Sequence, residues 1–395
     1  MTMTWWNTFE ILLFSVLIFC FIARMLFYWV VMAKPYYYLR SGAKKKLQDT
    51  SVQPPVSVII CFKNSNYDLH RFLPNILEQE YPEFEVIVVT DGISDADEAA
   101  LSRLKIRYSN LYSTHVPDYT KNISRKKLAL TLGIKAAKYD KLLFTEPDSR
   151  IRTKEWISLM TRRFSDKKTI VLGFSALENA KSLWQKYMTC DYFFSNLRMI
   201  SFALFNHPYA GNGRNMAYAK KHFIEQKGFI KYRTLQQGED DLFINEIATN
   251  KNTAVELSAQ SVTLTEINDF YEWKCKKTDQ MSTQRFYKGG PVAFRRLETF
   301  LRIIFFIVVI TCLISGFPYA SLRDFLLPGI ALFCLIVQFF SQWMVINKTL
   351  GSLQLEKFHL IIPLFDLFQP FIDLYFFMYR ILKEKENYTY HYEKR

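Results

Sequence analysis

Apolar residues fall along this chain in two kinds of run: long ones towards the termini and short ones in the centre. The first long run, WWNTFEILLFSVLIFCFIARMLFYWVVMAK, has Trp5 and Trp6 at one end and Tyr28 and Trp29 at the other. A helix between these aromatic belts is about 35 Å long, enough to cross a bilayer. Arg24 then falls near the inner boundary, where a long cationic side chain reaches back to the headgroups. With no positive region before it and no small-residue cleavage site after it, the run is expected to be an anchor rather than a cleaved signal. Two further spans are expected, FLRIIFFIVVITCLISGFPYA from Phe300 and FLLPGIALFCLIVQFFSQWMVI from Phe325. The short connection from Pro318 to Asp324 makes them a helical hairpin. The last run, HLIIPLFDLFQPFIDLYFFMYRIL, is interrupted by Pro363 and Pro370 and carries Asp366 and Asp373, which are costly in hydrocarbon. An interfacial or re-entrant helix pair is expected there, with a fourth span as the alternative.

The central runs are shorter and alternate in period. VSVIICF (56–62) and EVIVVTD (85–91) are β-branched and bounded by polar residues, the pattern of buried parallel strands. HRFLPNILEQE between them has helical spacing. KKLALTLGIKAA then precedes KLLFTEPD, helix before strand, and TIVLGFSAL (169–177) is expected to be one more strand. This rhythm predicts an α/β domain on an open, mostly parallel sheet, with ligands at the carboxyl ends of the strands. The chain therefore divides into an anchor (1–33), a basic juxtamembrane linker (34–53), a central domain (54–299), a transmembrane hairpin (300–346) and a tail of interfacial or re-entrant helices (347–395).

Composition sharpens this picture. Aromatic residues make up 16% of the 395 residues, with 35 Phe and 23 Tyr, and they concentrate at the two ends. The net charge of +14 could suggest nucleic acid, yet no zinc-finger, RNP-like or basic-helix pattern accompanies it. Much of the excess instead borders the apolar runs: Lys34, Arg40, Lys44, Lys45 and Lys46 on one side, Arg295, Arg296 and Arg302 on the other. By the positive-inside rule residues 34–299 face the cytoplasm, and the protein is expected in the cytoplasmic membrane. The six cysteines are scattered without a CxxC pair, which speaks against a zinc site or a disulfide scaffold.

Acids stand where the sheet rule wants them. Asp91 ends one predicted strand; Glu146 and Asp148, in TEPDS, end another. Two carboxylates one residue apart can aim at one point, and a hard cation bridging a diphosphate needs few protein oxygens. By itself the stretch also suits a turn. Further on, QGEDDLF gathers Glu239, Asp240 and Asp241 at a loop-to-helix junction. Carboxylates favour that position as caps and as partners of the helix dipole. A general base is the functional alternative. No GxGxxG follows the first strand and no GxxxxGK[ST] occurs, which disfavours a dinucleotide enzyme or a P-loop ATPase.

Taken in order, these motifs resemble those of membrane-anchored family 2 glycosyltransferases of the GT-A fold, over roughly residues 54–290. VSVIICFKN is similar to the first nucleotide-binding strand and loop, which implies donor contacts at Cys61, Lys63 and Asn64. VVTDG carries the nucleotide-binding acid to Asp91, and KKLALTLG places Lys126 near the donor. TEPDS stands where the metal-binding DxD motif is expected, implying Asp148 and Glu146 as ligands of Mg²⁺ or Mn²⁺. GNGRNMAY resembles the acceptor-side loop, implying roles for Gly211, Asn212, Gly213 and Asn215. GEDDLF resembles the motif with the catalytic base. Asp240 is the base in the matching register; a slip by one residue makes it Glu239, with Asp241 as neighbour. Three departures stand out: Glu146 replaces the first acid of DxD, Ser65 follows Asn64, and the Q/R-x-x-R-W motif is altered. WKCKKTDQMSTQRFY holds its place with Trp273 on the acceptor side and Lys276, Lys277 and Arg285 in changed order.

The resemblance implies a metal-dependent transferase, inverting, moving a sugar from a UDP- or GDP-linked donor to a hydroxyl of a glycolipid, lipid-linked glycan or polysaccharide. Its partners would be that donor, that acceptor and the lipid bilayer, and no nucleic acid. The alternative is a non-catalytic GT-A-like membrane scaffold or partner subunit, motivated by Glu146, Ser65 and the altered region around Trp273.

Overall fold

The computed structural model describes residues 7–41, 53–63, 69–117, 124–232, 235, 237–266, 269–317 and 322–393. They form two compact units, one from Tyr38 to Lys288 and one from the residues up to Tyr37 together with those from Gly289 onward. Trp5, Trp6 and Lys44–Lys46 lie outside the described residues.

The chain opens with α1 (Thr8–Leu26), followed by a π-helical turn at Phe27–Met32 and α2 (Lys34–Arg40). Asn7 starts α1: its side chain accepts the amide of Glu10 at 2.8 Å, and Glu10 accepts the amide of Asn7 at 2.7 Å. This reciprocal box satisfies two amides that have no partner inside the helix.

The central unit follows the predicted alternation: β1 (Val56–Lys63), α3 (Leu69–Leu77), β2 (Phe84–Asp91), α4 (Asp95–Arg107), β3 (Leu111–His115), α5 (Arg125–Ala136) and β4 (Lys141–Thr145). Then come α6 (Trp156–Thr161), β5 (Ile170–Leu172), β6 (Ser175–Glu178), α7 (Leu183–Leu204), β7 (Met216–Ala219), α8 (Lys220–Glu225), α9 (Asp241–Ile247), β8 (Thr253–Val255), β9 (Thr263–Glu266) and α10 (Phe270–Gln284). Among the described residues seven strands make one sheet in the order β3-β2-β1-β4-β7-β5-β8, in which β7 runs against the other six. The core on one face of the sheet gathers Val58, Ile60, Phe62, Val86, Val88 and the fully buried Trp156. Strands buried on both faces explain why their sequence is continuously apolar rather than alternating.

The stretch 169–177 is not one strand. It breaks at Gly173 and Phe174, and β6 leaves the large sheet to pair in parallel with β9. The break has a local cause: Asn215 donates to the Phe174 carbonyl at 2.8 Å, and a Cβ on Gly173 would lie 2.5 Å from the Asn215 side chain.

In the terminal unit α11 (Gly290–Ser315), α12 (Leu326–Ser352) and α13 (Ile361–Glu393) join α1. Leu17, Cys20, Phe305, Val309, Cys312, Ala331 and Cys334 form the shared apolar seam of α1, α11 and α12. Helix α11 begins ten residues before the expected boundary, so residues 290–299 belong to it rather than to the central domain. Among the described residues, four helices are long and apolar enough to cross a membrane: Thr8–Arg40, Gly290–Ser315, Leu326–Ser352 and Ile361–Tyr379. The expected interrupted pair near the end is therefore corrected to one continuous helix. Pro363 falls in its first turn, where no intrahelical amide bond is lost. Asp366 is not left as a lone charge: Arg24 lies 2.5 Å away, Gln342 donates at 3.0 Å, and Arg302 stands at 3.4 Å.

Candidate active site

Parallel strands end together, and the turns beyond them converge on one edge of the sheet. In register, Lys63 of β1 faces Asp91 of β2, and Ile60 faces Thr145 of β4, so Cys61, Asp91 and the TEPDS turn share this carboxyl edge. Helix α5 starts at the same edge because it runs back across the strands. Gly133 allows its close approach, since a Cβ there would lie 2.8 Å from Ile59 and 3.1 Å from Val89. The first turn of α5 thereby sets Arg125, Lys126 and Lys127 over the edge. Arg125 meets Asp91 at 2.5 Å, and Lys126 meets both Glu146 at 2.9 Å and Glu239 at 2.8 Å. Cys61 is a free thiol in this neighbourhood, and burial pushes its pKa up. The side chain of Lys63, and Asn64 entirely, lie outside the described residues.

The two acids of TEPDS are held by cations. Glu146 gives one oxygen to Lys126 and the other to Arg214, at 2.9 and 2.7 Å. Burial alone would raise its pKa, but Arg214, Lys126 and Lys276 together hold the carboxyl well below the usual range. Asp148 accepts from Arg214 at 2.6 Å through Oδ2, with Lys276 at 3.9 Å. Its Oδ1 is buried without a hydrogen-bond partner among the described residues. An oxygen left over in this way suits a hard cation, and Asp148 could hold one. Glu146 does not fit as the second ligand, because both of its oxygens are engaged. Among the described residues no group of three His, Cys, Asp or Glu could enclose a metal. A cation held at Asp148 would take its remaining ligands from phosphates and water.

The three acids of QGEDDLF separate cleanly. Gly238, at φ +107, turns the chain into α9, in a conformation that strains any L side chain. Glu239 is 2% exposed and paired to Lys126. Asp241 is locked: its Oδ1 accepts the Leu242 amide at 2.6 Å, and its Oδ2 accepts from Thr283 and, at 2.6 Å, from Tyr287. Asp240 is the most exposed of the three, and among the described residues its side chain meets only backbone donors, the amides of Gly213 at 2.9 Å and Asp241 at 2.7 Å. Burial, with the charges of Asp241 and Glu239 beside it, pushes its pKa up to about 7.

Of the acceptor-side residues, two stand at the site and three do not. The Gly213 amide touches Asp240, and Asn212 is braced on α7 by donating to Tyr192 and Asn196, both at 2.8 Å. Asn215 is fully buried and ties Trp156, Phe174 and Ser261 together, a bracing role instead of a ligand role. Gly211 is a packing residue, since a Cβ there would lie 2.6 Å from Ile244 of α9. Trp273 is buried against Phe270 and Tyr187, with ring centroids at 5.6 and 6.3 Å.

Several residues at the site carry no mark of their own in the sequence. Arg214 sits inside GNGRNMAY, and Arg125 and Lys127 flank Lys126; adjacency to a motif was the available signal. Lys127, 1% exposed, donates to the carbonyls of Tyr232, Leu235 and Gln237 at 2.6, 2.6 and 2.8 Å, and so holds the chain leading to the acid cluster. Its burial lowers its pKa to about 8. Thr283 and Tyr287 reach Asp241 from α10 and just beyond it, more than forty residues away, with no local pattern to reveal them.

Residues 57–226 match the model of Glycosyl transferase family 2. This chain carries a family 2 glycosyltransferase domain. The matched part holds β1, β2 and β4, TEPDS and the Arg214 loop; the acids 239–241 lie beyond it. The poly-beta-1,6-N-acetyl-D-glucosamine synthase of Staphylococcus aureus is 23% identical to this chain over 174 residues, covering 42% of this chain and 41% of that protein. The chain thus matches about two fifths of the length of the curated relatives. The solved mannosyltransferase PcManGT of Pyrobaculum calidifontis, in complex with GDP-Man and Mn²⁺, is similar over 86% of this chain and 97% of its own, with 17% identity and a TM-score of 0.52. The family 2 domain has the GT-A-like fold that this likeness describes.

Proposed function

We propose that this protein is a membrane-bound, inverting glycosyltransferase that uses Mg²⁺ or Mn²⁺ and moves a sugar from a UDP- or GDP-linked donor to a hydroxyl acceptor. The observation that carries this reading is the state of Asp240. Among the described residues it is the acid of its cluster that is neither ion-paired nor locked by side-chain donors, its pKa is raised towards neutrality, and it touches the Gly213 amide of the loop expected on the acceptor side. A carboxylate so placed suits a general base operating near neutral pH.

In the reaction the acceptor oxygen attacks the anomeric carbon, and the bond from that carbon to the diphosphate oxygen breaks. The hydroxyl proton passes to Asp240, and the nucleoside diphosphate leaves with the electron pair. A single displacement inverts the anomeric centre. Lys126 spans the two halves of the site, bonded to Glu146 on the donor side and Glu239 beside the base. It fixes their spacing, and as a cation at this edge it can offset negative charge on a bound diphosphate. Asp91, aligned by Arg125, is assigned to the nucleoside. A divalent cation, when bound at Asp148, offsets charge on the leaving diphosphate.

The donor class and the cation rest on the family resemblance and on PcManGT, solved with GDP-Man and Mn²⁺. A glycan or lipid-linked acceptor is supported by the relative named as a polysaccharide synthase and by four helices able to cross a membrane. The basic flanks of the apolar runs assign residues 34–299 to the cytoplasm, facing a nucleotide-sugar pool.

The test is nucleotide release by the purified full chain with Mg²⁺ or Mn²⁺, across a panel of UDP- and GDP-sugars and lipid-linked or glycan acceptors. Acceptor-dependent release with one donor supports the reading. Binding of a nucleotide-sugar with no release under any pairing would favour the non-catalytic scaffold.

A further inference from the structure

Arg214 occupies an unusual position for a site expected to hold a divalent ion. One guanidinium nitrogen lies 2.6 Å from Asp148 Oδ2 and 2.7 Å from Glu146 Oε2, bridging the two carboxylates of TEPDS. The side chain is buried, 6% exposed, on the turn between Asn212 and Asn215, whose own side chains are braced on α7 and in the core. Among the described residues its buried Nε has no hydrogen-bond partner, and neither has Asp148 Oδ1. The ion-paired side chains therefore hold one unused acceptor and one unused donor. An acceptor of that kind takes a cation, and a guanidinium N–H takes a phosphate oxygen.

We propose that Arg214 is a resident cation that competes with the divalent ion at Asp148, so that the ion binds well only when a nucleotide diphosphate arrives to take the guanidinium. This rests on the reading of TEPDS as the donor-side acid pair. The carboxylates are neutralised by the protein before the donor enters. A divalent ion alone meets a positive group already in contact with both acids. A diphosphate brings several negative oxygens, which the Arg214 Nε–H and the ion share. Ion and nucleotide then bind with positive coupling, and each raises the affinity for the other by the same factor.

The experiment is Mn²⁺ binding to the full-length protein, followed by the electron paramagnetic resonance signal of free Mn²⁺, with and without UDP or GDP. For the wild type, weak Mn²⁺ binding alone and at least tenfold tighter binding with the nucleotide are expected. Arg214→Gln should bind Mn²⁺ at least tenfold tighter without nucleotide and lose most of the nucleotide effect. Arg214→Lys keeps the charge and should stay close to the wild type, and thermal melting checks that both variants are folded. If Arg214→Gln does not fold, Arg214→Lys still tests the idea, because tight nucleotide-independent Mn²⁺ binding by it would overturn the proposal. Unchanged or weaker Mn²⁺ binding by a folded Arg214→Gln would overturn it as well. So would tight binding that survives Asp148→Asn in the Arg214→Gln background. Because the readout is ion binding, a wild type that couples Mn²⁺ to nucleotide yet transfers no sugar would sink the enzyme reading and leave this inference standing.

Discussion

Asp240 Oδ2 accepts the amide of Gly213 at 2.9 Å, which ties the proposed base to the loop assigned to the acceptor. The contact leaves little space at the glycine, where a Cβ would lie 3.3 Å from that oxygen. Asp240→Asn keeps the shape and removes the base. Transfer should fall by about 10²–10⁴-fold, the usual contribution of a general base. Donor affinity should change little, because the base acts on the acceptor. Glu239→Gln and Asp241→Asn should lower activity less and melting temperature more, since their side chains hold Lys126, Thr283 and Tyr287. Steady-state turnover and donor titration for the three variants decide it; an active Asp240→Asn beside a dead Glu239→Gln would move the base by one residue.

The raised pKa of Asp240 has consequences for rate and for stability. The base must be deprotonated, so kcat/KM should rise with pH and level off above about 7. The stability effect runs the other way. The folded carboxyl holds its proton more tightly than the unfolded one, so this contribution is present at low pH and is lost as pH rises through the folded value. Asp240→Asn should therefore gain melting temperature relative to the wild type as pH goes from 5 to 8. A constant difference across that range would contradict the assignment.

Asp148 and Glu146 should respond differently. Asp148→Asn removes the oxygen available to a cation, and activity should drop by about two orders of magnitude or more, the scale of a lost transition-state electrostatic contact. Glu146→Gln removes the partner of Lys126 and Arg214, so the expected result is a smaller loss of turnover with a lower melting temperature. Full activity of Asp148→Asn, or of the wild type in EDTA, would remove the cation from the mechanism.

Lys127 supports the base loop from beneath. Lys127→Met keeps the aliphatic stem and strands three carbonyls, those of Tyr232, Leu235 and Gln237. Each buried carbonyl left unpaired costs about 1–3 kcal/mol. A melting temperature several degrees lower is expected, together with a fall in kcat that exceeds any change in donor affinity. Unchanged kcat in a folded variant would confine Lys127 to stability.

In the terminal unit Asp366 meets Arg24 and Gln342, and it stands near Arg302, which is itself paired with Glu298. Asp366→Asn leaves Arg24 without its anion inside the apolar bundle. Breaking a buried pair on one side costs about 3–5 kcal/mol, so unfolding in detergent should occur at a clearly lower temperature. The double variant Arg24→Leu with Asp366→Leu should recover much of that loss, because no lone charge remains. Equal losses in single and double variants would argue against the pair.

The sequence by itself determined the elements whose patterns are local. Continuous β-branched runs marked β1 and β2, a short apolar run after a helical pattern marked β4, and their order made the sheet and its carboxyl edge predictable, with Asp91, Glu146 and Asp148 on it. Long apolar runs marked α1, α11 and α12, because hydropathy alone fixes which segments can leave water. What side chains do to one another across the fold was decided by tertiary structure. Asp366 read as a charge too costly for a span until Arg24, far off in sequence, was brought against it. The nine residues 169–177 read as one strand until the buried Asn215 side chain split them at Gly173. Glu146 read as a metal ligand and Trp273 as an acceptor contact, yet the first is held by Lys126 and Arg214 and the second is packed among rings. Three adjacent acids looked alike in QGEDDLF. Only folding distributes Lys126 to Glu239, Thr283 and Tyr287 to Asp241, and backbone amides alone to Asp240, because a residue's partners depend on contacts the chain's local pattern does not encode.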